Sequence, residues 1–168
     1  MTVAPAPFDP IERAGELWEA SIGESSAMRA ATSIMRVQQL LSHALESAVR
    51  PHGITFARYE VLVLLSFSRS GELPLSIIGD RLMVHPTSVT NAIDRLVGQG
   101  LVQRRADPAD RRRILASLTP AGRAVITAAT NDLMAIDFGL GDLSAQDRDE
   151  LYAALRQARR RLGDLPSG

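Results

Sequence analysis

Cysteine is absent from this sequence of 168 residues. Its absence excludes disulfides, thiolate metal sites, cysteine nucleophiles and the sensing of peroxides by a thiol. Lysine is absent as well, since all 19 basic residues are arginine, and this excludes a phosphate-loop lysine or a Schiff-base lysine. Aromatic residues make up only 4% of the chain, so we expect a core built of aliphatic side chains.

Long hydrophobic runs and export signals are also missing. The longest apolar blocks, such as VLVLL at 61–65, are far too short to cross a bilayer. The N-terminal stretch MTVAPAPFDPIER has neither the basic start nor the apolar run of a secretory signal. We therefore expect a cytoplasmic protein that forms one folding unit with appended helices.

Charge is distributed unevenly, although the net charge is zero. Between residues 81 and 123 there are eight arginines and three acids, which gives this segment a net charge of +5 and leaves −5 for the rest of the chain. A basic segment within an acidic chain indicates a polyanion-binding surface in one part of the fold.

The hydrophobic periodicity predicts a mainly α fold with a small β-ribbon. Helices are predicted at 10–21, 25–50, 55–67, 75–82, 86–98, 119–136 and 144–162. The last helix begins with SAQD, which resembles a capping box with Asp in place of Glu. The segments LVQRR at 101–105 and RILASL at 113–118 are expected to pair as an antiparallel hairpin with ADPADRR at its tip.

The helices at 75–82 and 86–98 are separated by a tight turn and predict a helix-turn-helix. In the second helix Val89, Ile93 and Leu96 share one face. Short polar or basic side chains that suit the major groove point away from it, and the candidate DNA contacts are Thr87, Ser88, Thr90, Asn91 and Arg95. The alternative is an ordinary amphipathic surface helix whose Ser and Thr serve only as N-terminal caps.

The stretch RRADPADRRRIL at 104–115 carries five arginines and forms the tip of the predicted ribbon. A charge run of this kind is usually a solvated turn. Beside a reading helix, however, an arginine at the tip can enter the minor groove while others bind phosphates. The candidate contacts in the ribbon are Arg105, Asp110, Arg111, Arg112 and Arg113, with Asp110 placed to orient Arg112.

The run TSVTNAIDRLVGQGLVQRRADPADRRRILASLTPAGR at 87–123 resembles the recognition helix and wing of the MarR family of bacterial transcription regulators. The DP-x-D-x-R wing signature falls at Asp107, Pro108, Asp110 and Arg112, and HGITFARYEVLVLL at 52–65 resembles the second core helix of the family. The resemblance covers about residues 28–162. It implies a winged helix-turn-helix protein with a helical dimerisation region that binds a pseudo-palindromic operator near its own gene.

The resemblance also implies a division of the chain into three parts. Residues 1–50 would hold N-terminal helices for dimerisation and a ligand cleft, 51–119 the winged DNA-binding domain, and 120–168 the C-terminal dimerisation helices. Arg112 matches the wing arginine that enters the minor groove in the family, and Asp110 matches its orienting acid.

A small aromatic or anionic effector is a further implication of the resemblance. The extra N-terminal helix is similar to that of the urate-responsive branch, and Trp18, Glu60 and Arg104 fall at or near the pocket positions of that branch. The position of the second pocket arginine holds Ala92, which argues against urate itself.

The residues alone leave the effector site open. Arg29 and Arg36 are seven apart on one helix and would hold a carboxylate or phosphate if that side faced a cleft, but surface solvation or an ion pair across a dimer is the more common explanation of such a pair. Trp18 alone is typical of a staple that packs the first helix. With three histidines and no ligand cluster we expect no metal site and no cofactor.

The sequence therefore predicts a ligand-responsive, homodimeric DNA-binding regulator that acts as a repressor and has no enzymatic activity. The alternative is a winged-helix interaction scaffold whose arginine-rich ribbon grips an acidic protein partner. An enzyme is disfavoured because no GxSxG, HExxH or GxGxxG motif is present.

Overall fold

The computed structural model of the protein describes residues 7–165, and within them seven α-helices and three strands. The helices are α1 (Pro10–Ser21), α2 (Ser26–Val49), α3 (Phe56–Ser66), α4 (Leu75–Leu82), α5 (Pro86–Gly98), α6 (Pro120–Ala135) and α7 (Ala145–Arg161). The strands are β1 (Glu72–Pro74), β2 (Val102–Ala106) and β3 (Ile114–Leu118). Single 3₁₀ turns cover Arg50–His52 and Asp137–Gly139. The predicted mainly α fold with a small ribbon is confirmed.

Local capping explains where the helices begin. The Asp9 carboxylate accepts the backbone N–H of Ile11 at 2.8 Å, and proline follows at the first position of α1. At α7 the predicted capping box is present, because Ser144 and Asp147 each accept the backbone N–H of the other. Hydrogen bonds from Ser144 hold the pKa of the Asp147 carboxyl below its usual value, and the bond from the hydroxyl has a larger effect than the bond from the backbone N–H. These helix starts are thus encoded within a few residues of each helix.

The first turn of α5 has a less usual cap. His85 is the N-cap residue, and its Nδ1 accepts the backbone N–H of Thr87 at 3.2 Å. The Nδ1 atom that accepts this bond carries no proton, so the ring hydrogen lies on Nε2. The alternative interpretation, in which Ser and Thr cap this helix, is not met at the N-cap position, where the imidazole of His85 accepts the hydrogen bond.

The sheet has three antiparallel strands in the order β1-β3-β2. The predicted hairpin is confirmed, with Val102 opposite Leu118 and Ala106 opposite Ile114. The sequence missed β1, which pairs Leu73 with Ala116. A three-residue strand that ends in proline has no alternating pattern of its own and is tolerated because it lies at the sheet edge.

The core joins α3, α4, α5, α6 and the sheet, and it is aliphatic as expected. Its largest fully buried side chains include Leu62, Leu65, Ile78, Ile93, Leu96 and Leu133. Tyr59 is 6% exposed, and its hydroxyl lies 2.9 Å from Thr130 Oγ1. The core thereby fixes α5 and the sheet in one body.

The chain divides into two compact units, residues 1–43 and 44–168. In the described part of the first unit, α1 lies against the start of α2, since the Ser25 hydroxyl donates to Glu19 at 2.6 Å and Arg29 lies 3.9 Å from Glu19. In the second unit, α7 has no buried residue, although Arg148 forms an ion pair with Asp137 at 3.0 Å. The domain boundaries expected at residues 50 and 119 stay predictions.

Gly122 marks the tightest approach between two elements of the core. A Cβ atom added there would lie 2.2 Å from the Leu101 carbonyl oxygen, whereas one added at Gly98 would meet nothing within 4 Å. We expect Gly122→Ala to lower the free energy of unfolding by about 3 kcal/mol, because backbone must shift. The matched Gly98→Ala should be neutral or gain about 0.5 kcal/mol. Urea unfolding at equal protein concentration measures both, and equal stability of the two variants would contradict the packing.

The histidine cap gives a second prediction. His85→Ala removes the acceptor for the Thr87 N–H and should lower the free energy of unfolding by about 1 kcal/mol. His85→Asn keeps a capping oxygen and should stay close to the parent protein. If thermal unfolding gives the Ala and Asn variants the same loss, the imidazole does not cap α5.

Candidate nucleic-acid interface

The recognition helix of the predicted helix-turn-helix is α5. Val89, Ile93 and Leu96 are buried in the core, as the periodicity predicted. All five candidate contacts on its other side are exposed: Thr87, Ser88, Thr90, Asn91 and Arg95. The structure therefore confirms which side of α5 faces solvent, while the binding role of these side chains stays a prediction.

The turn before α5 sets the angle at which this helix leaves the core. Met83 closes α4 in the left-handed region at φ 55°, and the Val84 N–H donates to the Gly79 carbonyl at 3.1 Å. Both Met83 and Val84 are exposed. Sequence reasoning also missed His85, whose position before a helix-starting proline was the available signal.

The wing, defined as β2, β3 and the tip 107–113, has a tip closed by backbone hydrogen bonds. The Asp107 N–H donates to the Arg113 carbonyl and the Arg113 N–H donates to the Asp110 carbonyl, both at 2.9 Å. The Asp110 carboxylate accepts the Arg112 backbone N–H at 3.0 Å. The side chain of Asp110 thus contacts Arg112 at its backbone N–H, and the orienting role expected of Asp110 stays a prediction.

Three of the five wing arginines face carboxylates of the same chain. Arg104 pairs with Asp94 of α5, Arg105 with Glu72 of β1 at 2.5 Å, and Arg113 with Asp107 at 3.9 Å. All three guanidinium groups are about half exposed, so each pair contributes little to stability and weakens with salt.

The two remaining arginines of the wing are Arg111 and Arg112. Both are exposed, and neither forms an ion pair with any residue between 7 and 165. They lie at the apex of a ribbon that shares one body with α5. This arrangement leaves two cations at the tip available for an external anion.

The candidate effector residues fall in different units. Trp18, Arg29 and Arg36 belong to the first unit, where Trp18 is 38% exposed and Arg36 donates to Gln39 at 3.3 Å. Glu60 and Arg104 belong to the second unit. Their assembly into one effector site stays a prediction, and within the second unit Arg104 is committed to Asp94.

A cavity of about 530 Å³ lies beside α3 in the second unit. Its walls come from α3, from Leu82 of α4, from Ile126 and Thr130 of α6, and from Phe138 in the 3₁₀ turn after α6. Glu60 is at its edge, and partial burial raises the pKa of the Glu60 carboxyl. One residue of the predicted effector set therefore borders a concave, mostly apolar space.

Two further classes of site find no support in the part of the chain that the structure describes. Residues 7–165 contain no group of three or more His, Cys, Asp or Glu placed to hold a metal ion. None of their helices combines the length and hydropathy that a membrane span requires.

Comparison with known proteins agrees with this geometry. The profile described as MarR family matches residues 54–114, which run from the residue before the N-cap of α3 to the start of β3. The crystal structure of Sco5413, a MarR family transcriptional regulator from Streptomyces coelicolor, is 56% identical. The match covers 84% of this chain and 98% of the Sco5413 chain, and its TM-score is 0.77.

Two curated relatives come from Bacillus subtilis (strain 168). The HTH-type transcriptional regulator MhqR is 30% identical over 89 residues, which are 53% of this chain and 60% of MhqR. The HTH-type transcriptional repressor MdtR is 35% identical over 103 residues, 56% of this chain and 65% of MdtR. These two matches span less than two thirds of the length of either relative. Sco5413, MhqR and MdtR are all named as transcription regulators rather than enzymes. From the full-length match to Sco5413, together with the family profile, the chain belongs to the MarR family of winged-helix transcription regulators.

Proposed function

We propose that the protein is a homodimeric repressor that binds a pseudo-palindromic operator and is released from it by a small-molecule effector. The observation that carries this proposal is the pairing of an exposed polar face on α5 with two arginines, Arg111 and Arg112, that have no ion-pair partner among the described residues. Both features lie in the same compact unit, so one duplex can meet them together.

The exposed face of α5 suits the major groove. Asn91 can bond to the N6 and N7 atoms of adenine, and Arg95 to the O6 and N7 atoms of guanine. The Thr90 hydroxyl already donates to the Pro86 carbonyl at 3.1 Å, which leaves its methyl group for contact with a thymine methyl. Base identity is thus read mainly by Asn91 and Arg95.

The wing supplies the second contact. Its apex presents Arg112 on a backbone held by Asp110, and a guanidinium held in this way is suited to the negative potential of a narrow minor groove. Arg111 beside it is suited to a phosphate. The wing then contributes position and shape readout, while α5 contributes sequence readout.

Exposed apolar side chains support association with a second copy. On α2 they are Ile34, Met35, Val37 and Leu40, on α7 they are Tyr152 and Leu155, and Leu162 follows at the C-cap of α7. A monomer rarely leaves such runs in water. A two-fold dimer would place its reading helices about 34 Å apart, one turn of DNA, and would require a pseudo-palindromic site.

Repression and release rest on two further supports. The relative MdtR is named as a repressor, and the cavity beside α3 falls in the size range of small-ligand pockets. An effector that binds better to a dimer with displaced reading helices shifts the population away from DNA.

Arg112→Ala tests the wing contact. We expect the free energy of operator binding to weaken by about 1–3 kcal/mol, because a groove contact is lost. Arg69→Ala is the matched control, because Arg69 is an exposed arginine before β1 and its replacement removes the same charge from the protein. Mobility shifts on DNA from upstream of the protein's own gene, at matched salt, measure both. Equal affinities would refute the role of Arg112.

A salt titration separates DNA binding from the grip of an acidic protein. Groove binding releases several counterions, so log affinity should fall steeply with log salt and the operator should be preferred over random duplex. A shallow slope with no preference among duplexes would favour the interaction scaffold.

A further inference from the structure

The cavity beside α3 has an unusual charge pattern. Among its described lining residues, Tyr59 and Glu60 are the titratable ones, and no arginine or histidine lines it. The Tyr59 hydroxyl is engaged with Thr130 at 2.9 Å. Glu60 therefore supplies the only formal charge on the described wall of the cavity.

The Glu60 carboxylate has no compensation from its own chain. Within residues 7–165 it takes part in no hydrogen bond or ion pair, in contrast to Glu72, which holds Arg105. Its partial burial against apolar side chains raises the pKa of the carboxyl. Glu60 is nonetheless exposed overall, so its lost hydration costs little, and a cation bound beside this unpaired carboxylate gains one partly exposed charge pair.

The rest of the wall is suited to an apolar body with a positive head. Phe56, Phe67 and Phe138 contribute aromatic faces, and Val63 and Leu64 contribute aliphatic ones. Aromatic faces attract ammonium groups through their quadrupole. A volume of about 530 Å³ accommodates a ligand of one to three rings.

We propose that this cavity binds an amphipathic cation, an apolar body that carries an amine or quaternary ammonium group, with Glu60 as its counter-ion. This inference rests on the proposed function in one respect, since the cation is taken to be the effector that releases the protein from its operator. An anionic effector, as suggested by the sequence, would meet an unpaired carboxylate in the same space. The arginines suggested for an anion, Arg29 and Arg36, belong to the other unit.

Three probes that share a naphthyl body and differ in the charge of the head group test the charge preference of the cavity directly. They are α-naphthylmethyl-trimethylammonium, α-naphthylmethanol and α-naphthylacetate, titrated calorimetrically into the full-length protein without DNA. We expect the cation to bind about fivefold more tightly than the other two, as for a partly exposed charge pair. An anion or alcohol that binds as tightly as the cation overturns the proposal, and so does the absence of binding by all three.

Two isosteric variants assign the preference to one carboxylate. Glu60→Gln should weaken the binding of the cation about fivefold and leave that of the alcohol unchanged. Asp149→Asn removes an exposed carboxylate on α7 that has no ion pair among the described residues, and it should change neither. Because burial raises the pKa of Glu60, its charge does not stabilise the fold, so Glu60→Gln should remain folded by circular dichroism. Unchanged cation affinity in folded Glu60→Gln overturns the proposal.

The pH dependence provides an independent check. Since the pKa of Glu60 is raised, acidification from neutral pH protonates this carboxyl before an ordinary glutamate, and affinity for the permanent cation should fall. Tyr59 is the other titratable residue that lines the cavity. The same fall in Glu60→Gln would overturn the assignment.

Failure of this inference is separable from failure of the proposed function. A protein that ignores duplex DNA and still prefers the cation contradicts the repressor and supports the cavity's ligand class. A protein that binds its operator and shows no cation preference does the reverse.

Discussion

The burial of one side of α5 is the constraint on which the rest of the structure depends. Val89, Ile93 and Leu96 are at most 1% exposed, and this anchorage leaves the polar side of the helix no direction except outward. The wing is fixed to the same core through Val102 and Ala116. A reading helix and an arginine-tipped ribbon therefore keep a constant spacing, as recognition of a regular duplex requires.

Internal ion pairing refines the charge of this surface. The basic segment has a net charge of +5 in the sequence, but Asp94, Glu72 and Asp107 engage three of its guanidinium groups. Arg104 and Arg105 thereby connect the wing to α5 and to β1. Positive charge is concentrated at the apex, where it can follow the groove, instead of being spread over the whole ribbon.

The helices were predictable because their signals are local. Asp9, Thr55, Thr119 and Ser144 all cap helices close to where the pattern placed them. The strand β1 was not, because its identity comes from the register with β3 rather than from its own three residues. The Arg105–Glu72 pair spans 33 positions, and the cavity joins α3 to α6, so both depend on tertiary packing that no local pattern encodes.

The close approach at Gly122 connects the cavity wall to the wing. The backbone N–H and the hydroxyl of Thr119 both donate to the Leu101 carbonyl oxygen, each at 3.1 Å. Gly122 packs so closely against the same oxygen that there is no room for a Cβ atom. The helix that begins there carries Ile126 and Thr130 into the cavity wall about two and three turns later. A shift of α6 at that wall would therefore displace Leu101, the residue before β2, because no side chain separates Gly122 from the Leu101 carbonyl oxygen.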